Sequence, residues 1–488
     1  MEFLTPKQKK VRTRRLFVGY GLFAVLISLA TYILISTALG YEIFTSKGQV
    51  IQNGLLFVNS RPSSADIYVN GKKESSNTDA KLSLPEGVYD ISLQKPGYKE
   101  WRDTVKLSGG SVKFINYPRL FPVKPTQLAD IPYQNGASIV EQSKDKRWLF
   151  VTMADSAKLA EIYDIDNPNT PPIAIVLPEI LLNGQKAKIV SFVEWAGDNH
   201  HFLVKVSIGD TSSNLLIDKD NLADVANVSQ MFGLIATDHI GFWDSKWDKI
   251  FIHHVAGSVQ LGSVKDKSIA ASPLISDSVV ELFTIGGERA VYTVALNETD
   301  LNVKFLTNSK SYIFTSIKKS PNPLLVKSVG FNRNEYVALA GGSLEKTLLF
   351  RNLETQIKKS SNTHLAPFVI MPTKSSYIEF SRSNRLLLAT DGVNNSVYDI
   401  EDKEVFKYVI PTKNPSVSGW FDDSRIYSVG SDKSISVYGF NGSNINNVTP
   451  QVSGVPFVNR DVTRSVYFVP ATNSQSLRFI DIDSATKK

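Results

Sequence analysis

Apolar and polar residues follow three successive patterns along this chain. The first is a continuous apolar run, Leu16 to Gly40, that contains no Asp, Glu, Lys, Arg or His. As a helix at about 1.5 Å per residue it reaches roughly 37 Å, enough to cross a hydrocarbon core of about 30 Å with some tilt. After a connector, residues 41–52, the pattern changes to short alternating runs parted by turn formers. Leu55 and Phe57, then Ile67 and Val69, alternate with other residues up to Asn70-Gly71, and this stretch reads as a hairpin. Lys81 to Leu84 and Val88 to Leu93 follow, with Pro85-Glu86-Gly87 as the turn between them and Pro96-Gly97 as the turn after. Thr104 to Leu107 and Val112 to Ile115 read as a further strand pair joined through Gly109-Gly110. These strands predict a small all-β domain of about seventy residues, near the size at which one core just suffices.

In the third pattern, from residue 123 to the C-terminus, a unit recurs: an aromatic or apolar residue, a polar turn rich in Asp, Asn, Ser and Arg, then an apolar strand. Trp195 to Asn199 before Phe202, Trp243 to Lys246 before Ile250, Phe331 to Asn334 before Val337, Phe380 to Asn384 before Leu386 and Trp420 to Ser424 before Ile426 are the clearest copies. Weaker ones around Asp145, Gly286-Gly287 and Asp461 bring the number to eight. Several units end in a second strand that closes on an acid, at Asp164, Asp218, Asp399 and Asp481. Four short strands per unit, at a period of about 45 residues, predict a β-propeller of seven or eight blades, one of which can be shared between the two ends of the domain. Tandem β-sandwiches are the alternative, but they would repeat near a hundred residues.

Charge orients the apolar run. Lys7, Lys9, Lys10, Arg12, Arg14 and Arg15 precede it against one acid, Glu2, and a short basic arm of this kind stays in the cytoplasm. The expected order is a cytoplasmic arm (1–15), a transmembrane helix (16–40), the connector (41–52), the small β-domain (53–122) and the propeller (123–488), the last three outside. A cleaved signal peptide competes, since Ala38-Leu39-Gly40 is a small-x-small triplet, but signal h-regions are only about 7 to 15 residues long. A buried soluble helix would keep a polar stripe, which Ser28, Thr31, Tyr32 and Ser36 do not form. Once the arm's six bases and one acid are set aside, 48 basic residues face 46 acidic ones, so nothing in the ectodomain's charge argues for nucleic acid. The chain has no cysteine. That removes disulfides, thiolate catalysis and Cys-based metal sites, and for a large domain outside the membrane it points to a bacterial or archaeal surface.

Within the small domain, Gly54-Leu55-Leu56-Phe57-Val58-Asn59-Ser60-Arg61-Pro62, the Ile67-Tyr68-Val69-Asn70-Gly71-Lys72 stretch, Leu84-Pro85-Glu86-Gly87-Val88-Tyr89 and Lys95-Pro96-Gly97-Tyr98 stand in one order and spacing. They resemble a PEGA domain, with Ser64 where a Gly is usual and Val88 in place of the Ala of the name motif. The resemblance implies a small β-sandwich of prokaryotic envelope and surface-layer proteins, used as a spacer or adhesion module, with no catalytic residues to carry over. The recurring unit of the third region resembles WD40-like and TolB-like propellers, which implies a fold and no activity.

Catalytic constellations are not in evidence. The sequence has no Gly-x-Ser-x-Gly elbow, no His-Glu-x-x-His and no Gly-rich phosphate loop ending in Lys-Ser or Lys-Thr. His200-His201 and His253-His254 are adjacent pairs, whose members point to opposite faces of a strand and do not readily share a metal. Asp164-Ile165-Asp166-Asn167-Pro168-Asn169 starts like a calcium loop but lacks the Gly at position six and the closing Glu, so it reads as a turn. Trp195, Trp243 and Trp420 suit the packing between blades; Trp247, inside a polar turn, is the candidate for stacking on a carbohydrate. Pro178 to Lys188 and Asn308 to Pro323 read as long connections that could carry recognition. No cofactor and no metal is expected. The chain reads as a membrane-anchored, non-enzymatic binding or scaffolding protein of a prokaryotic plasma membrane whose propeller recognises an envelope protein or glycan. The alternative is a hydrolase or lyase acting on glycan or peptide with acidic residues at the propeller mouth. An arm of fifteen residues leaves no room for a cytoplasmic output domain.

Overall fold

The computed structural model describes residues 6–38, 41–42, 51–115, 117–133, 137–152, 158–359, 364–412, 414–449, 452–471 and 474–485. The apolar run forms helix α1, Pro6–Ala38, and its stretch Arg12–Ser36 is long and apolar enough to cross a membrane. Proline suits the first turn, where its missing N–H has no partner to lose. The Ser28 hydroxyl donates to the Ala24 carbonyl at 2.9 Å, so the polar group is satisfied inside the helix, as a hydrocarbon environment requires. Leu39 and Gly40, the end of the expected span, lie outside the described residues.

The chain divides into two compact units, Met1–Lys124 and Pro125–Lys488. In the first, β1 (Tyr41–Glu42), β2 (Ile51–Val58), β3 (Asp66–Val69), β4 (Lys72–Asn77), β5 (Ala80–Pro85), β6 (Gly87–Gln94), β7 (Trp101–Leu107) and β8 (Val112–Ile115) form two sheets. One runs β1-β2-β5 with β8 on the other side of β2, and the other runs β4-β3-β6-β7. Leu56, Val58, Ile67, Ile91, Leu93 and Ile115, all fully buried, are the core between them. Asn70-Gly71 does close a hairpin, with Asn70 at φ 50° and Gly71 at φ 79°; it joins β3 to β4. Three expected pairings are corrected. Leu55 and Phe57 lie in a different sheet from Ile67 and Val69, Pro85-Glu86-Gly87 carries the chain from one sheet to the other, and β8 pairs in parallel with β2 instead of with β7. In a sandwich the two inner faces must each supply apolar side chains, so successive strands cross between sheets even where a turn signal suggests local pairing.

The second unit contains eight four-stranded antiparallel sheets among the described residues. Seven are built from consecutive strands within residues 140–175, 187–227, 239–269, 279–318, 324–371, 377–409 and 417–449, here blades 1 to 7. Blade 8 takes three strands from residues 457–481, and its fourth is β9, Thr126–Tyr133, at the start of the unit. The propeller therefore has eight blades, closed by pairing its first strand with its last. Hydrophobic clusters sit between neighbouring blades: Phe150, Ile162, Trp195 and Phe202 join blades 1 and 2, Phe305, Phe314, Val337 and Phe350 join blades 4 and 5, and Tyr133, Leu149, Tyr163, Phe468 and Phe479 join blade 8 to blade 1. A sheet with two apolar faces finds both covered only in a ring, which also leaves no open face at either end. Asn308 to Pro323, expected as a long connection, is mostly the strand Lys310–Lys318, and Pro178 to Lys188 holds a short helix, Glu179–Leu182.

Candidate functional site

All eight polar turns connect the first and second strands of a blade, and several of them are built the same way. An Asp, Asn or Ser side chain accepts from backbone N–H groups two or more residues ahead. Asp198 accepts from His200 N and His201 N at 3.0 and 3.1 Å, Asp422 from Ser424 N and Arg425 N at 2.9 Å each, and Asn459 from Thr463 N and Arg464 N at 2.9 and 2.8 Å. Short side-chain acceptors satisfy the N–H groups that a tight turn leaves free. The acids that close the third strands have the matching task at the next turn on the same edge. Asp164 accepts from Asp166 N at 2.9 Å and Arg147 Nη2 at 2.8 Å, and Asp399 accepts from Glu401 N at 2.9 Å and Arg385 Nη2 at 2.7 Å. Burial raises the Asp164 carboxyl, but Arg147, Asn167 and the Asp166 N–H outweigh it and hold the group below the usual carboxylate range.

Turns of blades 1, 2, 6, 7 and 8 meet around a cavity of about 830 Å³, within the size range of small-ligand pockets. Residues of the first strands line it, including Glu141, Lys327, Tyr377, Glu379 and Trp420, so in blades 1, 5, 6 and 7 the first strand faces the cavity. Hydrogen bonds lock neighbouring turns together: Asp145 N to Asn199 Oδ1 at 3.0 Å, Gly197 N to Ser245 O at 2.7 Å, Gly287 N to Asp244 Oδ1 at 2.6 Å and Asn384 Nδ2 to Gly330 O at 3.2 Å. Glu194 of blade 2 reaches blade 3, accepting from Phe242 N at 2.5 Å. A Cβ on Gly241 would lie 2.8 Å from that carboxylate and 2.6 Å from the Phe251 ring. Burial pushes the Glu194 carboxyl up despite Phe242 N–H and Lys144, and burial alone raises that of Glu141.

The cavity wall is unequal in charge. Its carboxylates are mostly engaged: Asp422 is bound to Arg425, Asp145 accepts from Arg147 N, and Glu379 accepts from the Tyr377 hydroxyl. By contrast Lys146, Lys327, Arg382 and Arg460 line the same wall with no carboxylate within ion-pair distance among the described residues. The Arg382 guanidinium donates to the Arg460 backbone carbonyl, which ties the blade 6 turn to that of blade 8. Trp420, half-buried, and Tyr427 add aromatic surface beside them.

Trp195 and Trp243 are buried at 3% and 2%, as expected of packing residues, whereas Trp420 is part of the cavity wall. Trp247 is 36% exposed and stacks on His201, with ring centroids 4.4 Å apart and planes at 7°. One face of the indole proposed for carbohydrate is thus already covered. His253 and His254 are engaged in their own blade neighbourhood, through Val279 O at 3.0 Å and Gln260 Oε1 at 2.8 Å. Asp164 to Asn169 is a turn. His200 behaves differently from its sequence reading, because the third-to-fourth-strand turn of blade 2 brings Asp218 and Asp220 to it, with one potential ligand atom of each within 4.8 Å of the others. Lys219 Nζ lies 2.6 Å from Asp220 Oδ1 and supplies positive charge there. The basic residues Arg12, Arg14 and Arg15 are exposed along the first turns of α1; Lys7, Lys9 and Lys10 are helical, and their side chains fall outside the described residues.

The small domain's sheets and hairpin can be set beside known families. Residues 53–118 match the PEGA domain family. No curated protein matches the chain. Among solved structures, the C-terminal WD40 domain of Sif2 is similar at a TM-score of 0.47 and 10% identity, over 74% of this chain and 99% of that one. A computationally designed protein, Ika8, is similar at 0.44 and 9%, over 73% and 99%. An oligogalacturonate lyase in complex with manganese is similar at 0.39 and 9%, over 74% and 98%. A PEGA domain and a propeller together support a binding or scaffolding role outside the cytoplasm.

Proposed function

We propose that this is a single-pass protein of a prokaryotic plasma membrane, N-terminus inside, whose propeller mouth binds an envelope partner, protein or glycan. α1 holds the propeller at the surface, and the PEGA domain, which lies between them in the chain, serves as a spacer. Confinement to the surface raises the effective concentration of the mouth towards neighbouring envelope components without any new contact. The observation that carries the reading is the state of the mouth's charges. Of its four carboxylates, Asp145 and Asp422 accept from turn N–H groups, Glu379 accepts from the Tyr377 hydroxyl and only Glu141 is without a hydrogen bond among the described residues, while four cations face the cavity with no carboxylate within ion-pair distance there, beside two aromatic side chains. Acid–base hydrolysis of a glycoside needs two available carboxyl groups; recognition of an anionic surface needs available cations. The mouth therefore favours binding over the hydrolase or lyase alternative.

The absence of native cysteine makes the test simple. Arg382→Cys and Arg460→Cys, each labelled in intact cells with a thiol-reactive photocrosslinker, are expected to yield an adduct with an envelope component. Val393→Cys, exposed in a turn between the second and third strands of blade 6 and hence at the opposite end of the blade, is expected to yield none. Adducts from Val393 alone, or mouth-dependent cleavage of an envelope glycan or peptide, would contradict the reading.

A further inference from the structure

The first sheet of the PEGA domain leaves one face open. On β2, Leu56 and Val58 point into the core, so Leu55 and Phe57 point out; on β8, Val112 and Phe114 are 53% and 56% exposed. The register sets them in rows across three strands: Ser83, Leu55 and Val112 in one, and Lys81, Phe57 and Phe114 in the next. Phe57 and Phe114 stack with centroids 4.8 Å apart at 15°. No acid stands in either row. An aromatic stack flanked by a lysine is the composition that partitions into the headgroup layer of an anionic bilayer.

Chain connectivity ties this face to the membrane-spanning helix. Only three peptide steps separate Ala38, the end of α1, from Tyr41, a reach of at most about 11 Å. β2 is antiparallel to β1, with Tyr41 opposite Gln52, so the start of β2 lies beside the strand that follows the helix. At about 3.4 Å per residue, Leu55 lies roughly 10 Å and Phe57 roughly 17 Å from Gln52 along β2. β8 runs parallel to β2, so Phe114 stands at the same end as Phe57. Near the end of α1, Ser36 is buried and Ile33 half-buried, whereas the other residues from Arg12 to Ile35 are exposed.

We propose that the Lys81, Phe57 and Phe114 row, with Leu55 and Val112 behind it, rests in the anionic headgroup layer of the same bilayer that α1 spans, as a second membrane contact. The inference relies on the anchor reading above. The contact fixes the tilt of the PEGA domain, because a domain held at the helix end and at the sheet end cannot swing about the connector.

Single-cysteine spin labels on the full chain in anionic phosphatidylglycerol nanodiscs test it. A label at Leu26 reports insertion of the anchor, one at Val112 leaves the aromatic stack intact, one at Phe114 sits in the row, and one at Val88, 62% exposed on the other sheet, is the aqueous control. The ratio of oxygen to nickel-chelate collisions is expected to be several-fold higher at Val112 and Phe114 than at Val88, and to fall towards the control with Lys81→Glu or in zwitterionic discs. An aqueous ratio at both positions beside a lipidic Leu26 overturns the proposal and leaves the anchor standing. Shielding from both agents overturns it in favour of protein cover, by a second copy if spin–spin broadening accompanies it. An aqueous Leu26 overturns the anchor and this contact together.

Discussion

Closure by β9 is the feature on which the propeller's stability turns, and Tyr133 tests it. Tyr133 is 3% exposed, packs edge-on against Phe468 at 5.8 Å and 75°, and donates through its hydroxyl to Tyr163 Oη at 2.5 Å, which in turn donates to Glu161. It stands where blade 8 meets blade 1, on a strand more than 300 residues from its partner β-strand Ser474–Asp481. Tyr133→Ala removes a buried ring and leaves a cavity in that cluster, a change that costs about 3–5 kcal/mol in comparable cores. Tyr133→Phe keeps the ring and removes one hydrogen bond from a chain in which Tyr163 still has Glu161, about 0.5–1.5 kcal/mol. The unit Pro125–Lys488, at about 2.1 cal/mol/K per residue, has an unfolding entropy near 0.8 kcal/mol/K, so the melting temperature is expected to fall by roughly 4–6 °C for Tyr133→Ala and under about 2 °C for Tyr133→Phe. Calorimetry of the detergent-solubilised full chain reads both, with the exposed Val393→Ala as a control expected within about 0.5 kcal/mol of the parent. If Tyr133→Ala melts with Val393→Ala, the ring does not depend on its first strand and the closure argument fails.

Further expectations are of three kinds. Arg385 binds Asp399, whose side chain is 1% exposed, so Arg385→Ala strands a buried carboxylate; with two backbone N–H donors retained, the loss is expected near 2–4 kcal/mol by chemical denaturation, and Asp399→Asn in the same background should recover part of it. Burial raises the Glu194 carboxyl above its unfolded value despite Phe242 N–H and Lys144, so its ionisation weakens the fold at neutral pH and not below both values. Glu194→Gln, whose amide oxygen can still accept from Phe242 N, should therefore melt higher than the parent at pH 7, with the difference vanishing as the pH falls below about 4. Because Lys219 already neutralises Asp220 beside His200, zinc or manganese added to the metal-free chain should leave its melting temperature unchanged, and a saturable rise would establish a metal site at His200, Asp218 and Asp220.

The repeat was legible because its signal is local. An Asp, Asn or Ser caps the N–H groups of its own turn, as Asp198, Asp422 and Asn459 do, so each polar turn marks the end of a first strand without reference to distant residues. The second strand of blade 6, foreseen from Leu386, runs Leu386–Thr390, and that of blade 7, foreseen from Ile426, runs Arg425–Val429. The same locality explains what the motif does: the acids closing the third strands cap turns, and Asp164 and Asp399 hold arginines as well, whereas Asp218 lies beside His200 and Asp220. Pairing between remote segments was mostly not legible. β8 beside β2 in parallel, and Asp218 and Asp220 beside His200, depend on contacts that no local periodicity encodes, whereas a blade shared between the two ends of the domain was foreseen as a way to close the ring. The mouth followed the same division, since its turns were foreseen while the convergence of Lys327, Arg382 and Arg460 on one cavity depends on blades five, six and eight sharing an axis.

Topology is the claim beneath all the others, and right-side-out spheroplasts of a bacterial host carrying the intact chain, tagged at both ends, measure it. Added protease is predicted to remove the C-terminal tag while leaving a membrane-protected fragment that bears the N-terminal tag and the basic arm. A C-terminal tag that survives in intact spheroplasts and is lost only on lysis would put the propeller inside and contradict the account.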